Sequence, residues 1–281
     1  VAAPAGGLPV IEAVVVSYET RALLEDCLKS LAAICPSVAV TVVDSASCDG
    51  SAAMVASRFP EARLIALAEN RGFAAAVNAG VAATEAPFLF VLNADTAVET
   101  DPLPSLRQAM EAHPRWAVAG PALAHPDGRP QESRTPFPRV QDALAAFLRG
   151  GTGAAGGGGA VGGGGAAALA PDALAPAAGD AAPGWYLMGA ALLFRRRALD
   201  AVGPLDESYF FYLEEVDWFR RAAAAGWGWG LVSEARVTHH LGASLRAADP
   251  ALAMRIKRNW YRSRLRYFRR HAGRPAAVLL R

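Results

Sequence analysis

Asn93 and Asp95 are the residues whose types and spacing point most directly to chemistry. They follow five consecutive large apolar residues, Phe88 to Leu92, and a single alanine separates them. Such a run is typical of a buried strand in a parallel sheet, and open α/β sheets bind ligands beyond the carboxyl ends of their strands. An amide oxygen and a carboxylate at that position can hold a hard divalent cation and, through it, a diphosphate. Taken alone, the pair is more typical of an Asx-turn.

A cluster of acids near residue 215 forms a second candidate group. Glu214, Glu215 and Asp217 lie at the start of a predicted helix, where acids ordinarily stabilise the fold by about 0.3–1 kcal/mol each. Helical spacing places Glu214 and Asp217 on one face and Glu215 about 100° from Glu214. The functional alternative is a general base in a pocket lined by aromatic side chains such as Trp185, since burial there would raise the pKa of a carboxylate.

Further polar groups follow other predicted strands. Asp44 ends a β-branched segment and could accept hydrogen bonds from a base or a ribose hydroxyl, although Asp is also a common turn residue. His239 and His240 follow a short strand, but a zinc site needs more ligands than this pair. The sequence contains no Gly-x-Ser-x-Gly nucleophile elbow, so no Ser-His-Asp enzyme is indicated.

The elements that must position these residues alternate between strand and helix. Strands are predicted at 11–18, 38–43, 63–68 and 88–92, with helices between them at 21–33, 51–59 and 74–83. This alternation predicts an α/β fold with a mostly parallel central sheet, flanking helices and right-handed crossovers. The polar strand ends should then meet at one edge of the sheet; they are Ser17, Asp44, and Asn93 with Asp95. The sequence contains neither a dinucleotide fingerprint nor a Walker loop.

The second half of the chain is less regular. Its predicted elements are a helix at 102–113, a strand at 116–121, a hairpin turn at 125–128, strands at 187–194, 229–232 and 235–238, a helix that ends at Gly226, and a helix at 251–271. Residues 150–165 are almost entirely glycine and alanine, and Ala-Pro sequence continues to about residue 182. Such a stretch cannot bury enough apolar surface to offset its ordering entropy, so a flexible loop is expected at about 150–182.

Composition limits the class of protein. The 281 residues are 53% hydrophobic, but no run of about 18 to 20 strongly apolar residues predicts a membrane-spanning helix. Residues 1–10 lack the basic start of a signal peptide. The three cysteines have no metal-site spacing and fit a reducing compartment. A cytoplasmic location is therefore expected.

The C-terminal segment is strongly basic. Ten of the 28 lysines and arginines lie between Arg255 and Arg281, where there is no acid, and aromatic residues are interleaved with them. This pattern predicts an interfacial helix over 255–271 that contacts an anionic membrane from the cytoplasmic side. Nucleic-acid binding is the weaker interpretation, because no nucleic-acid-reading motif is present. A helix packed on the acidic body of the protein, with its arginines solvated or paired, is the third interpretation.

An ordered set of short stretches resembles a known family. The stretches are Val14–Tyr18, Val43–Ser51, Asn70–Phe73 with Asn78 and Gly80, Leu92–Asp95, Gly203–Arg220 and His239–Ser244. With them the chain is similar to the family 2 glycosyltransferases of the GT-A fold, and among these to the bacterial rhamnosyltransferase-like members. Each stretch is short, but their order is specific, and together they cover roughly residues 11–271 apart from the Gly/Ala segment.

The resemblance implies an inverting transfer of a sugar from a nucleotide diphosphate sugar to an acceptor hydroxyl, in cell-envelope or polysaccharide synthesis. The rhamnosyltransferase-like subgroup implies deoxythymidine diphosphate rhamnose as the donor. The acceptor stays open between a lipid-linked saccharide, a polysaccharide or other saccharide, and another small molecule. Mg²⁺ or Mn²⁺ is the implied cofactor, and nucleic acid is not an expected partner.

The resemblance also assigns roles by motif position. Glu215 is the implied catalytic base, where the family usually has Asp, and its extra methylene shifts the carboxylate by about one bond length. Asp95 and His239 are the implied metal ligands, with a diphosphate contact as the alternative role of His239. The other assigned residues are, for the nucleotide sugar, Ser17, Tyr18, Glu19, Asp44, Asn70, Gly72, Asn78, Asn93 and Asp95, and, on the acceptor side or behind the base, Trp185, Glu214 and Asp217.

These assignments divide the chain into an N-terminal extension at 1–10, a nucleotide-sugar-binding half at 11–121, an acceptor and catalytic half at 122–245, and a basic amphipathic helix at 246–281. Two other functions remain as alternatives. A sugar-nucleotide nucleotidyltransferase would need a glycine-rich basic loop after the first strand, which Ser17-Tyr18-Glu19 does not supply. A nucleotide-sugar-binding protein without catalysis is the other alternative, and the Glu at position 215 favours it.

Overall fold

The computed structural model describes residues 10–141, 182–240 and 250–273. Its strands are β1 (Ile11–Ser17), β2 (Ala39–Asp44), β3 (Arg63–Ala66), β4 (Phe88–Asn93), β5 (Thr96–Ala97), β6 (Trp116–Ala124), β7 (Arg134–Pro136), β8 (Trp185–Leu187), β9 (Ala191–Arg195) and β10 (Gly228–His239). Its helices are α1 (Arg21–Ile34), α2 (Ser51–Arg58), α3 (Phe73–Ala82), α4 (Leu103–Ala112), α5 (Arg196–Val202), α6 (Glu214–Ala224) and α7 (Pro250–His271). Eight of the strands form one sheet in the order β3-β2-β1-β4-β9-β6-β10-β5, and β7 pairs with β8 in a second sheet.

The first half of the chain has the predicted alternation. Strands β1 to β4 are parallel neighbours, and α1, α2 and α3 connect them. Helix α1 shows why the sequence folds this way, because its buried residues recur at spacings of three and four and form one apolar stripe; they are Leu24, Cys27, Leu28 and Leu31. The predicted α/β fold with a mostly parallel sheet is confirmed.

The second half adds strands of both directions. Strand β9 lies antiparallel between β4 and β6, β10 runs parallel to β6, and the short β5 pairs antiparallel with the end of β10. The hairpin turn predicted at 125–128 is confirmed, since Gly128 donates its N–H to the carbonyl of His125 (2.8 Å). The predicted helices over 102–113 and 251–271 are also confirmed, as α4 and α7.

One predicted strand is divided in the structure. The prediction of a continuous strand at 187–194 is wrong, because β8 ends at Leu187 and β9 begins at Ala191. The chain leaves the two-stranded sheet and enters the main sheet across Met188, Gly189 and Ala190. An apolar run contains no signal for this change of sheet.

Two other predicted strands are one strand. The segments expected at 229–232 and 235–238 both belong to β10, which runs without a break from Gly228 to His239. Its register against β6 shifts between Val232 and Arg236. A bulge of this kind interrupts the alternation of apolar and polar residues without ending the strand.

The core lies on both faces of the main sheet. Along β1, Ala13 and Val15 belong to the cluster that packs α1, α2 and α4, whereas Val14 and Val16 belong to the cluster that packs α3, α5 and α6. Side chains of a strand point to alternate faces, so one strand contributes to both clusters. Because both faces of the main sheet are packed against helices, the strand ends that carry the candidate site are held in place.

The two halves of the chain meet at α3. Gly72, just before α3, has φ of 97°, and a Cβ there would lie 2.2 Å from the carbonyl oxygen of Phe210. Phe73 donates its N–H to that same oxygen (3.1 Å). Within α3, Asn78 donates to the carbonyl of Leu205 (2.9 Å) and accepts from its N–H (3.0 Å). These bonds hold the segment before α6 against the first half of the chain.

The sequence predicted no membrane-spanning helix and a flexible loop at about 150–182. No helix in the described part of the chain is long and apolar enough to cross a bilayer. The flexible loop predicted at about 150–182 lies outside the described residues, except for residue 182.

Candidate active site

The carboxyl ends of β1, β2 and β4 bring polar residues together, as predicted. Ser17 is in register with Asp44, and Val16 is in register with Asn93. Asp95 follows two positions later, and the residue between it and Asn93 donates its N–H to the carbonyl of Val16 (3.0 Å). Asp44, Asn93 and Asp95 therefore lie along one edge of the sheet, where proteins of this architecture bind ligands.

The loops after β1 and β2 are tied to each other. Glu19 donates its N–H to Ser47 Oγ (2.9 Å) and accepts from the N–H of Cys48 (2.7 Å). Asp44 Oδ2 accepts from the N–H of Ser47 (2.9 Å). Asp44 Oδ1 is buried and has no hydrogen-bond partner within the described ranges. An unpaired buried carboxylate oxygen is costly, so this atom is available to a donor group of a ligand.

Three other assigned residues shape these loops. Ser17 is buried, with its hydroxyl 3.1 Å from that of Thr20, and Tyr18 is half-buried beside it. Asn70 Oδ1 accepts from the N–H of Gly72 (2.9 Å) and so closes the turn before α3. The contacts of Ser17 and Asn70 support the loops that border the sheet edge.

Asp95 and His239 form a buried pair, although they are far apart in sequence. Strand β5 begins directly after Asp95, and its Thr96 pairs with His239 at the end of β10. His240 donates its N–H to the carbonyl of Asp95 (2.8 Å). The side chains are in contact, with His239 Nε2 3.3 Å from Asp95 Oδ1, and each residue is 7% exposed. The predicted juxtaposition is confirmed.

Gln131 is a member of the site that the sequence did not indicate. Its Oε1 lies 2.8 Å from His239 Nδ1, and its Nε2 donates to the carbonyl of His239 (3.4 Å). With the amide in this orientation, Oε1 accepts a hydrogen bond from Nδ1, and Nε2 is the ring nitrogen that faces Asp95. Such outer contacts fix the orientation of a histidine ligand. A lone glutamine in a loop has no pattern that would have identified it.

Glu215 lies close to the same edge. The two residues before α6 both have positive φ, 71° and 69°, so the chain enters the helix through a strained turn. Glu215 packs over Gly189, where a Cβ would lie 3.5 Å from its Cγ. The next residue, Ala190, accepts from the N–H of Asn93 (2.9 Å) through its carbonyl. The Gly189–Ala190 segment thus connects Glu215 with the end of β4.

Burial changes the ionisation of two adjacent acids. It raises the pKa of Glu215 to about 7. It also raises the pKa of Glu214 well above its ordinary value, and the charge of Glu215 raises that pKa further. Oε2 of each residue is buried without a partner in the described part of the chain. Glu215 is therefore the member of the pair that ionises near neutral pH, which is the behaviour of a general base.

The metal-ligating atoms at the sheet edge fit a divalent cation. Across residues 10–141, 182–240 and 250–273, no three His, Cys, Asp or Glu side chains form a cluster that could hold a metal. Asp95 and His239 supply an oxygen and a nitrogen, and the nearby Asn93 Oδ1 is buried with no partner in those ranges. Mg²⁺ and Mn²⁺ accept such ligands and commonly complete their coordination with water and substrate phosphate.

Asp217 is not brought into this group. It is fully buried and accepts from Arg221 Nε (2.9 Å) and from His271 Nε2 (2.8 Å) at the end of α7. Burial alone would raise its pKa, but the hydrogen bonds from His271 and Arg221 outweigh burial and lower the pKa. Asp217 therefore connects α6 to α7.

Trp185 is half-buried, and its carbonyl accepts from Trp229 Nε1 (2.9 Å).

Comparison with known proteins agrees with this architecture. The family model described as glycosyl transferase family 2 matches residues 12–163. The N-acetylglucosaminyl-diphospho-decaprenol L-rhamnosyltransferase of Mycobacterium tuberculosis is 32% identical over 254 residues, which cover 86% of this chain and 79% of that protein. The chain is therefore a glycosyltransferase. It belongs to glycosyl transferase family 2 and is rhamnosyltransferase-like, as the ordered motifs predicted.

Solved structures share the GT-A fold. The mannosyltransferase PcManGT from Pyrobaculum calidifontis, in complex with GDP-Man and Mn²⁺, has a TM-score of 0.58 at 17% identity and is matched over 98% of this chain and 68% of that chain. Residues 1–349 of S. aureus TarS have a TM-score of 0.53 at 14% identity, over 82% of this chain and 60% of that chain. At these identities the likeness concerns the fold alone.

Proposed function

We propose that the chain transfers rhamnose, with inversion, from a nucleotide diphosphate donor to a hydroxyl of a lipid-linked diphosphate saccharide, in cell-envelope synthesis. The name of the mycobacterial relative describes such an acceptor and sugar. The observation that carries the proposal is the position of Glu215, whose pKa is raised to about 7, at the sheet edge that also holds the Asp95–His239 pair.

Glu215 acts as the base in this reaction. It accepts the proton of the acceptor hydroxyl while that oxygen attacks the anomeric carbon from the face opposite the diphosphate. The new oxygen–carbon bond forms as the carbon–diphosphate bond breaks, so the configuration inverts and no protein nucleophile is needed. Glu214 stays protonated beside Glu215, because a second charge there would oppose the ionisation of the base.

The donor is held by the sheet edge. Asp95 and His239 would hold Mg²⁺ or Mn²⁺, with Asn93 beside them, and the cation when bound offsets the charge of the leaving diphosphate. The free Oδ1 of Asp44 accepts a hydrogen bond from the nucleoside. Ser17, Tyr18 and Glu19 border the nucleotide, and Asn70, Gly72 and Asn78 support that border.

The acceptor side contains Trp185 and the Glu214–Glu215 pair. The contacts of Asp217 with Arg221 and His271 support a different role from the one that the motif implied. We assign Asp217 to the attachment of α7 and not to the acceptor.

The proposal is tested by turnover with defined substrates. The purified protein is incubated with Mn²⁺, polyprenyl diphosphate N-acetylglucosamine and a panel of sugar nucleotides that includes deoxythymidine diphosphate rhamnose. We expect acceptor-dependent release of nucleoside diphosphate that is fastest with the rhamnose donor, and a product with inverted anomeric configuration by NMR.

A matched pair of variants tests the base. Glu215→Gln should lower kcat by about 10²–10⁴-fold, whereas Glu85→Gln, an exposed residue outside the site, should leave kcat unchanged. Full turnover by Glu215→Gln would contradict the assigned role. Donor binding without turnover in the wild-type protein would favour a non-catalytic nucleotide-sugar-binding protein.

A contact with an anionic membrane is part of the proposal, since the acceptor is lipid-linked. Tyr267 and Phe268 at the end of α7 are buried against the body of the protein. Earlier in the helix, Met254 is 67% exposed and Tyr261 is 38% exposed. The exposed basic residues around them are Lys257, Arg258 and Arg262. Exposed apolar and basic side chains on one helix support an interfacial position for this part of α7.

A further inference from the structure

Arg134 is a buried cation that nothing in the described part of the chain neutralises. It is 5% exposed, and neither Nη1 nor Nη2 has a hydrogen-bond partner within the described ranges. Burial lowers the pKa of its guanidinium, and no carboxylate in the described part of the chain pairs with it. Arginine nevertheless stays protonated in proteins, so the charge is present and uncompensated.

An unpaired buried charge is unfavourable. Proteins normally pair it with an opposite charge of their own or with that of a bound ligand. The guanidinium group has a planar fork of donors that matches the oxygens of a phosphate in a bidentate arrangement. The unused donors of Arg134 therefore indicate an anionic ligand.

Trp185 holds the guanidinium in place. The carbon at the centre of the group lies 4.9 Å from the centroid of the Trp185 ring, which orients the plane of its donors. The two residues belong to neighbouring strands, because β7 and β8 pair antiparallel with Arg134 opposite Leu187. Trp185 is only half-buried, so movement of its ring would open the guanidinium to a ligand.

The β7–β8 pair is directly connected to the proposed base. The residue before Arg134, Ser133, accepts from the N–H of Met188 (3.0 Å). The next residue, Gly189, is the one on which Glu215 packs. Arg134 is thus carried by the strand pair that leads into the segment on which the base packs, and the base must be next to the acceptor hydroxyl. The donor diphosphate, in contrast, is assigned to the Asp95–His239 pair on the main sheet.

We propose that Arg134, stacked on Trp185, binds a phosphate group of the acceptor's diphosphate. This inference rests on the proposed function and names the residue that binds the diphosphate of its acceptor. The arginine is a binding residue, which positions the sugar hydroxyl next to Glu215 through the phosphate. When the acceptor binds, the negative charge of its phosphate pairs with the buried positive charge of Arg134.

The test compares a charged acceptor with an uncharged one. Arg134→Gln should raise KM for polyprenyl diphosphate N-acetylglucosamine by about tenfold or more, a factor that corresponds to about 1.4 kcal/mol. KM for octyl N-acetylglucosaminide, which has no phosphate, should not change, and neither should the Kd of the donor. Arg134→Lys should restore only part of the loss, because an ammonium lacks the fork.

Controls separate binding from folding. Arg129→Gln removes an exposed arginine of the same segment, which pairs with Asp127 at 2.7 Å, and should leave both KM values unchanged. Without ligand, Arg134→Gln should unfold at the same temperature as the wild type or higher, because the uncompensated charge is gone. A large loss of thermal stability, with equal effects on both acceptors, would mean that the arginine is structural and would overturn the proposal.

Two outcomes distinguish this inference from the function on which it rests. If the wild-type protein transfers no sugar to any acceptor, the proposed function fails. Direct binding of the polyprenyl diphosphate N-acetylglucosamine to wild type and Arg134→Gln, measured without donor, then decides the role of the arginine. If turnover is normal but Arg134→Gln weakens the donor instead of the charged acceptor, the anion is the donor diphosphate and the inference is overturned.

Discussion

A single carboxyl group controls how the proposed reaction depends on pH. Glu215 is half-buried beside the buried Glu214, and its partial burial raises the pKa of Glu215 to about 7. Glu214 is held protonated, so only one negative charge has to be accommodated. A base with this pKa is matched to neutral conditions.

We expect kcat to rise with pH through about 7. Below that value Glu215 is mostly protonated and cannot accept a proton, so the rate should fall about tenfold for each further unit of pH, and above it the rate should level off. Initial rates between pH 5.5 and 8.5 measure the profile, and Glu85→Gln provides the control. A rate that is constant across this range would contradict the assignment of Glu215 as the base.

Gln131 should control metal affinity through the ring of His239. Gln131→Ala removes the acceptor that fixes Nδ1, and the Mn²⁺ concentration for half-maximal activity should rise about 10–100-fold, as for other partners of ligating histidines. The rate at saturating Mn²⁺ should change little. Gln108→Ala, an exposed residue of α4, is the matched control. An unchanged Mn²⁺ requirement would mean that Gln131 only stabilises the loop.

For single residues, the sequence predicted where side chains lie in the fold better than it predicted their pKa values and contacts. Asp44, Asn93 and Asp95 were placed correctly at the sheet edge because strand ends are readable from apolar runs. The raised pKa of Glu215 was expected only as one alternative, since it depends on burial by residues distant in sequence. Gln131 and Arg134 were not identified, because their roles arise from single contacts that leave no periodic pattern.

At the scale of elements, the junction between the two halves depends on one glycine. Gly72 combines a left-handed backbone with direct packing against the carbonyl of Phe210. Only a residue without a side chain allows this approach, which also permits the bond from the N–H of Phe73 to that carbonyl. The segment that leads into α6, and with it Glu215, is held there.

Gly72→Ala should therefore be more destabilising than the same change at another left-handed glycine. Gly128 has φ of 82°, and a Cβ there would meet nothing within 4 Å, so Gly128→Ala should cost only the backbone strain of about 1–2 kcal/mol. Gly72→Ala should exceed that cost by about 1–3 kcal/mol, because a Cβ would overlap Phe210. Urea unfolding of both variants measures the difference; equal free energies of unfolding would show that the junction tolerates a side chain.

The elements were predictable where local pattern and tertiary structure agree. The regular helices and parallel strands of the first half follow from apolar spacing, as in α1. The division between β8 and β9 and the bulge in β10 were missed, because both depend on which strand the chain pairs with. The pairing of β5 with β10, which brings His239 to Asp95, was not predicted, since a two-residue strand has no detectable pattern; the resemblance implied only that the two residues bind one metal.

At the scale of the whole molecule, the basic C-terminal helix is attached at one end and exposed at the other. Asp217 and Asp206 both accept a hydrogen bond from Arg270 (3.4 Å and 2.7 Å), and His271 adds a further bond to Asp217. The predicted packing of α7 on an acidic body and its predicted contact with a membrane are therefore compatible. Different parts of one helix would perform the two roles.

We expect the exposed part of α7 to bind anionic vesicles. Each basic residue near such a surface is worth about 1 kcal/mol, so neutralising three of them should weaken binding about a hundredfold; the changes are Lys257→Gln, Arg258→Gln and Arg262→Gln. The control replaces an equal number of exposed arginines elsewhere on the body, namely Arg58, Arg107 and Arg129. Flotation with phosphatidylserine vesicles at low and high salt measures both proteins. Equal flotation of the two variants would remove the membrane contact.

We propose that Asp44, Asp95, His239 and Glu215 border one cleft that holds the donor and its cation. A crystal structure with Mn²⁺ and deoxythymidine diphosphate rhamnose tests it most directly. We expect anomalous density for Mn²⁺ beside Asp95 and His239, the diphosphate on that ion, the nucleoside against Asp44, and the sugar facing Glu215. Mn²⁺ or donor density on another surface of the protein, with these side chains unoccupied, would contradict it.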